Sequence, residues 1–261
     1  MAEHKAYAGY VDSEYLRLAA ELAQQDKQRT YAAMRLRPGF HVLDVGCDPG
    51  FDTVALARLV GASGQVVGVD HESAMVAEAD QRAAEAGVSG RVQHIVADAV
   101  ALPFEAAQFD ACRSERLFQH LADPAAALAE MIRVTRSGGW IVVLETDYAT
   151  LSIETEEIDL ERRLARFTAG RVRIGYAARR LYSLFKRQHL LDVEIEVHPQ
   201  VFTRYDYVRR GWLDGVEREA LAAGSLTEAE LARWRASLER LAAENAFFAT
   251  LNHNLIAGRK P

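Results

Sequence analysis

The residues best equipped for chemistry lie in one short stretch, Asp44-Val45-Gly46-Cys47-Asp48-Pro49-Gly50, with a further acid, Asp70, twenty residues beyond Gly50. Glycines at positions 46 and 50 let backbone and ligand approach closely. A strand that delivers such a loop into a helix start makes a nucleoside site, and an acid at the tip of the next strand can accept both ribose hydroxyl protons. The dinucleotide fingerprint would need glycine at 46, 48 and 51, where this chain has Gly46, Asp48 and Phe51. Asp48 would also bring negative charge towards a pyrophosphate, with no evident cation to neutralise it. No Gly-Lys-Ser/Thr follows, so a P-loop is excluded. The loop suits a nucleoside ligand without phosphates.

The surrounding pattern can position such a site. His41–Val45 reads as a short apolar strand after the Pro38-Gly39 break, residues 52–60 as a helix, and Gln65–Val69 as a second strand ending at Asp70. Ser73 is placed to cap a helix running to Gly87. Val92–Val96 and Phe109–Arg113 are strands three and four. Asp123-Pro124 is a capping side chain followed by proline at the first helical position. That helix stops before Ser137-Gly138-Gly139, and Trp140–Leu144 is strand five. Short buried strands alternating with helices predict an α/β fold: a doubly wound, mostly parallel, Rossmann-like sheet with right-handed crossovers.

Outside this core the pattern is less regular. Residues 14–36 read as an N-terminal helix. Residues 154–168, 176–188 and 206–223 read as helices, Val193–Val197 as a strand, Thr227 to Glu230 as a capping box, and Phe247–Ala257 as a last strand. With no repeat or composition break, we read one domain over 1–261: a helical cap at 1–37, a ligand-binding core at 38–147, and the remaining sheet with helical additions at 148–261.

The chain has 261 residues, 49% hydrophobic and 26% charged, with a formal net charge of −6. This acidity argues against a nucleic-acid partner. Its only basic stretch, Arg162, Arg163, Arg166, Arg171, Arg173, Arg179 and Arg180, follows a run of acids and reads as a solvated helix face. Two cysteines, Cys47 and Cys112, are too few for a disulfide framework and lack metal-site spacing, so no metal is expected. Both read as small buried fillers. No apolar run reaches the about 18 residues that span a membrane. The N-terminus lacks a signal-peptide core. A cytoplasmic location and no membrane partner are expected.

VLDVGCDPG, VVGVD, VADAVALPF, FDACRSERLFQHLADP and GGWIVVLE occur in that order over about residues 38–147. Together they resemble the ordered motifs of class I S-adenosylmethionine-dependent methyltransferases, most of all the ubiquinone/menaquinone-biosynthesis-like branch that acts on small molecules. The resemblance implies a seven-stranded sheet with an antiparallel last strand. It places Asp44, Gly46, Cys47 and Gly50 along the methionine and ribose of the cofactor and gives the ribose hydroxyls to Asp70. His71 and Met75 would flank the adenine, Asp98 would accept from its amino group, the Ala99 backbone would face the ring edge, and Ser114 would reach the methionine end. Asp48 departs from the glycine usual in the family. An aspartate there could contact the cofactor amino group or sulfonium region, or face solvent.

A sulfonium methyl is already activated, so the protein's main task is in-line alignment of acceptor, methyl and sulfur. A base helps where the acceptor must lose a proton. His120, after strand four, is the candidate base. Glu115 and Arg116 on the same loop could orient an acceptor. Tyr7 and Tyr10 from the cap, with Tyr148, Trp212, Phe248 and Asn252 from the second half, are candidates for a lidded pocket around an apolar or aromatic small molecule. Oxygen, nitrogen and carbon acceptors remain open, as do monomer and homodimer. The alternative is an enzyme of the same fold and cofactor that catalyses a non-methylating rearrangement or cyclisation.

Overall fold

The computed structural model describes residues 24–261. The expected helix at 14–36 therefore lies partly outside the described residues; its described part is α1 (Gln24–Ala33). The core follows as β1 (His41–Val45), α2 (Phe51–Leu59), β2 (Gln65–Asp70), α3 (Ser73–Glu85), β3 (Val92–Val96), β4 (Phe109–Glu115), α4 (Pro124–Val134) and β5 (Thr135–Ile153). Then come α5 (Ile158–Arg171), α6 (Ala177–Arg187), β6 (Leu191–Phe202), α7 (Tyr205–Val208), α8 (Asp214–Ala222), α9 (Glu228–Ala243) and β7 (Ala249–Arg259).

The seven strands form one sheet in the order β3-β2-β1-β4-β5-β7-β6. The first five run parallel, while β7 is antiparallel to both β5 and β6. Strand alternation divides the apolar side chains between two faces. Leu43, Val45, Ile141, Val143 and Ile256 pack with Leu128 and Met131 of α4 and Leu181 and Phe185 of α6. Val42, Ala111, Val142, Leu144 and Leu255 pack with Tyr31 of α1 and Leu56 and Ala57 of α2. Both faces are covered, as a parallel sheet requires.

Capping chemistry fixes the helix starts. The Asp123 carboxylate accepts from the N–H groups of Ala125 and Ala126, both at 3.0 Å, ahead of Pro124. Asp123→Ala is expected to cost about 1 kcal/mol, read as a lower urea midpoint at unchanged slope. Ser73 does not cap α3. Glu72 occupies the cap position in an extended conformation with no side-chain cap on the first turn, and its own N–H donates to Asp70 Oδ1 at 3.0 Å, which ties the helix start to the end of β2.

β5 runs well beyond the expected Trp140–Leu144. Its polar continuation stays in the sheet by pairing with β7, Glu145 opposite Asn254 and Ile153 opposite Ala249, with an irregularity between Asp147 and Ser152. The expected helix 206–223 is interrupted by a π turn at Arg209–Leu213.

Beyond the parallel strands, α5 and α7 to α9 build a separate apolar cluster around Trp234 on the extended ends of β5 and β7. The Trp234 indole N–H donates to Glu217 at 2.9 Å. Part of the basic stretch is paired: Arg163 with Glu230 at 2.5 Å and Arg171 with Glu219 at 2.6 Å in this layer, and Arg179 of α6 with Asp147 at 2.7 Å. Among the described residues no helix is long and apolar enough to cross a membrane.

Candidate functional site

The parallel strands end along one edge, and the loop Gly46–Gly50 rises from β1 at its centre. Gly46 (φ +75°) and Gly50 (φ +79°) take left-handed conformations. A Cβ on Gly50 would lie 2.8 Å from Ala79 Cβ, so only glycine fits between loop and α3. Asp48 is also left-handed, at φ +48°. Its N–H donates to Asp70 Oδ2 at 3.0 Å. Each carboxylate oxygen of Asp70 thus holds one backbone N–H and keeps a further lone pair for a ligand hydroxyl.

Around this centre, His71 is exposed, with Nδ1 3.4 Å from Asp70 Oδ1. Met75 is buried on α3. The end of β3 is tied to that of β2 by the Ala97 N–H donating to the Asp70 carbonyl at 2.9 Å. This sets exposed Asp98 and buried Ala99 beside Asp70; the Asp98 carboxylate also accepts from the Val100 N–H at 3.1 Å. Cys47 is buried, and burial pushes its thiol well above the ordinary range. Both cysteines are free.

The residues missed in sequence lie beneath the loop. Arg113 on β4, fully buried, reaches Asp44 at 3.3 Å, Asp52 at 3.2 Å and Glu115 at 2.6 Å. From α1, Lys27 pairs with Asp52 and, at 3.2 Å, with Glu115, while the Tyr31 hydroxyl donates to Asp52. Two cations thus face three carboxyls. Burial pushes Asp52 and Glu115 upward, but the neighbouring cations outweigh it and hold both below the ordinary range. Burial wins at Asp44 and raises it to about 7 despite Arg113. The network fixes the cap helix, the start of α2 and the end of β4 to one another. Its sequence signal was a charge inside each of two apolar strands, Asp44 and Arg113.

The β4 side forms the opposite wall. Ser114 Oγ and Gln119 Oε1 are buried with no hydrogen-bond partner among the described residues. Arg116, left-handed at φ +52°, has Nε 3.6 Å from Glu115 Oε1. Glu145 on β5 accepts from the N–H groups of Phe118 and Gln119, both at 3.1 Å, and so shapes this loop. Burial pushes its carboxyl up to about 8 against those two bonds. Gln119 Nε2 donates to the Arg116 carbonyl and lies 3.0 Å from His120 Nε2. His120 therefore accepts at Nε2 and carries its proton on Nδ1. Surrounding protein, then the Arg116 and His71 charges, lower its pKa below the ordinary histidine value.

The edge thus brings together Gly46, Cys47, Asp48, Gly50, Asp70 and His71 on one side, and Ser114, Arg116 and His120 on the other. Asp44 and Glu115 sit below, inside the ion network. The pocket candidates do not gather in the same way. Asn252 and Tyr148 are half-buried near the β5–β7 junction, where Asn252 pairs with Asp147. Trp212 packs on the helical core, and Phe248 is exposed. Tyr7 and Tyr10 lie outside the described residues. Among the described residues no group of three or more histidine, cysteine or acid side chains is arranged to hold a metal ion. The glycine cradle, the Asp70 carboxylate with a lone pair to spare on each oxygen and the orphaned buried Ser114 hydroxyl fit S-adenosylmethionine.

A methyltransferase-domain family model matches residues 42–139. An uncharacterised 37.1 kDa protein from transposon TN4556 of Streptomyces fradiae is 33% identical over 92% of this chain and 70% of its own length. The demethylmenaquinone methyltransferase of Staphylococcus aureus strain MRSA252 is 35% identical over 49% of this chain and 52% of its own. The chain therefore spans about half the length of that enzyme. Among solved structures, the YcgJ protein of Bacillus subtilis aligns with a TM-score of 0.65 at 20% identity, over 91% of this chain and 98% of its own. The 4+2 cyclase SpnF aligns with a TM-score of 0.58 at 23% identity, over 92% and 81%. Those two likenesses are of fold. Motif order, strand order and the sequence relatives agree: the chain belongs to the class I S-adenosylmethionine-dependent methyltransferases, in the branch that resembles the ubiquinone/menaquinone-biosynthesis enzymes.

Proposed function

We propose that this chain methylates a small organic acceptor, apolar or aromatic in its main part, working as a cytoplasmic monomer or homodimer and as one domain. The observation that carries the reading is the Asp70 carboxylate, held by two backbone N–H groups beside two left-handed glycines. S-adenosylmethionine supplies an electrophilic methyl on sulfur. Asp70 holds the ribose, with Asp98, Ala99, His71 and Met75 around the base and Ser114 at the methionine end. Two buried free thiols support the cytoplasmic placement.

Arg116 and His120 face the acceptor side. Glu115, committed to Lys27 and Arg113, positions Arg116. The Nε2 lone pair of His120 is engaged by Gln119, so it becomes a base when an entering acceptor turns the ring or the amide aside; such bonds commonly tighten only with substrate bound. The base form is the neutral one, and the lowered pKa keeps it neutral at pH 7. Activity is then expected to fall as pH drops through a value below about 6.5. His120→Ala should lower kcat at least about tenfold and lose that acid limb.

Calorimetric titration of the chain with S-adenosylmethionine, beside Asp70→Ala, tests the reading. Micromolar binding by the intact chain that the variant loses supports it; no binding by the intact chain overturns it. The fold shared with SpnF favours one second reading, a cyclisation or rearrangement on the same cofactor. Formation of S-adenosylhomocysteine during turnover decides against that reading.

A further inference from the structure

Asp48 puts an ionisable side chain in the middle of the loop between Gly46 and Gly50. Glycine would make the same left-handed turn without strain. The Asp48 backbone is used, since its N–H ties the loop to Asp70. Its carboxylate is half-buried and has no hydrogen-bond or ion-pair partner among the described residues. Burial pushes this carboxyl up to about 6; Arg116 and Lys27 draw it down, while Asp70 and Glu115 push it further up. The loop thus keeps a negative charge where charge is costly, with no counterion in contact. An incoming cation would remove that cost.

Position narrows which cation. The bond to Asp70 places Asp48 next to the ribose-holding carboxylate, and the charge of Arg116 reaches it from the β4 wall. With Asp70 on the ribose, Asp48 would lie close to the ribose end of the donor, whose sulfur is one methylene from the ribose ring. Donor and by-product share their ammonium and carboxylate groups. They differ in the sulfonium: when the methyl leaves, the C–S bond pair stays on sulfur and cancels its positive charge. We propose that Asp48 is a specificity-determining residue that pairs with the sulfonium and so makes the site prefer S-adenosylmethionine over neutral S-adenosylhomocysteine, hastening release of the by-product. The proposal rests on the cofactor reading above.

The test is calorimetric titration of both compounds into the intact chain, Asp48→Asn and Asp48→Gly. The asparagine variant keeps shape and tolerates the left-handed conformation, and the glycine variant relaxes it. Both variants should bind S-adenosylmethionine about tenfold more weakly, the scale of one charge-assisted contact. S-adenosylhomocysteine should change less than about threefold. Equal weakening of both compounds would place the carboxylate on the ammonium and overturn the proposal, as would no change in either. Binding of neither compound to the intact chain would overturn the cofactor reading and this inference with it.

Discussion

Arg113→Met is expected to cost the protein about 3–5 kcal/mol of stability, the range for breaking a buried ion pair from one side. The guanidinium is 1% exposed and faces Asp44, Asp52 and Glu115. Methionine fills the space but leaves three carboxyls to Lys27, with Arg116 3.6 Å from Glu115 as the other cation at hand. For a chain of this size the melting point should drop by roughly 10 °C or more. The pH dependence carries a sign. In the intact chain Asp52 and Glu115 lie below the ordinary range, so each adds stability that is present above that range and is lost as pH falls through its lowered folded value. Without Arg113 burial dominates, their folded values rise above the unfolded ones, and stability is lost as pH rises instead. The gap between variant and intact chain should therefore be wide at pH 8 and narrower at pH 5, measured by urea unfolding at both. A loss below about 1 kcal/mol would mean that water screens the network as it does a surface pair.

Asp70→Ala is expected to weaken S-adenosylmethionine binding about hundredfold, or about 2.7 kcal/mol. Hydrogen bonds to a charged group contribute about 1.5–3 kcal/mol each, and the ribose would lose its acceptor. The variant also releases the Asp48 and Glu72 N–H groups, so the loop and the start of α3 lose their shared anchor. Asp70→Asn, which keeps one acceptor oxygen, should fall between the two. Unchanged affinity in the alanine variant would remove Asp70 from the site.

Much of this was readable from the chain. β1, β2 and β3 lie where short apolar runs ending in glycine or acid signals put them, and Asp123-Pro124 starts α4 as its chemistry requires. Local patterns report local structure. The ion network was not readable, because Lys27 meets partners 25 and 88 positions away and nothing near Lys27 in sequence marks it for burial. The length of β5 was hidden for a related reason. Glu145 and Asp147 look like loop residues, and become strand residues only because backbone N–H groups at 118 and 119 and the Arg179 guanidinium satisfy them. The break in the helix at 209–213 left no proline to announce it.

The overhang of β5, β7 and β6 past the other four strands makes the helical cluster a shelf cantilevered from a finished engine. Its contacts fall on residues such as Leu151, Ile153 and Ala249, beyond the edge where the loop and Asp70 stand. Substitutions confined to the shelf are therefore expected to leave the loop and Asp70 in place. The family model stops on the near side of that edge, matching residues 42–139 and none of the overhang. The matched part is the engine, and the shelf is what this chain adds to it.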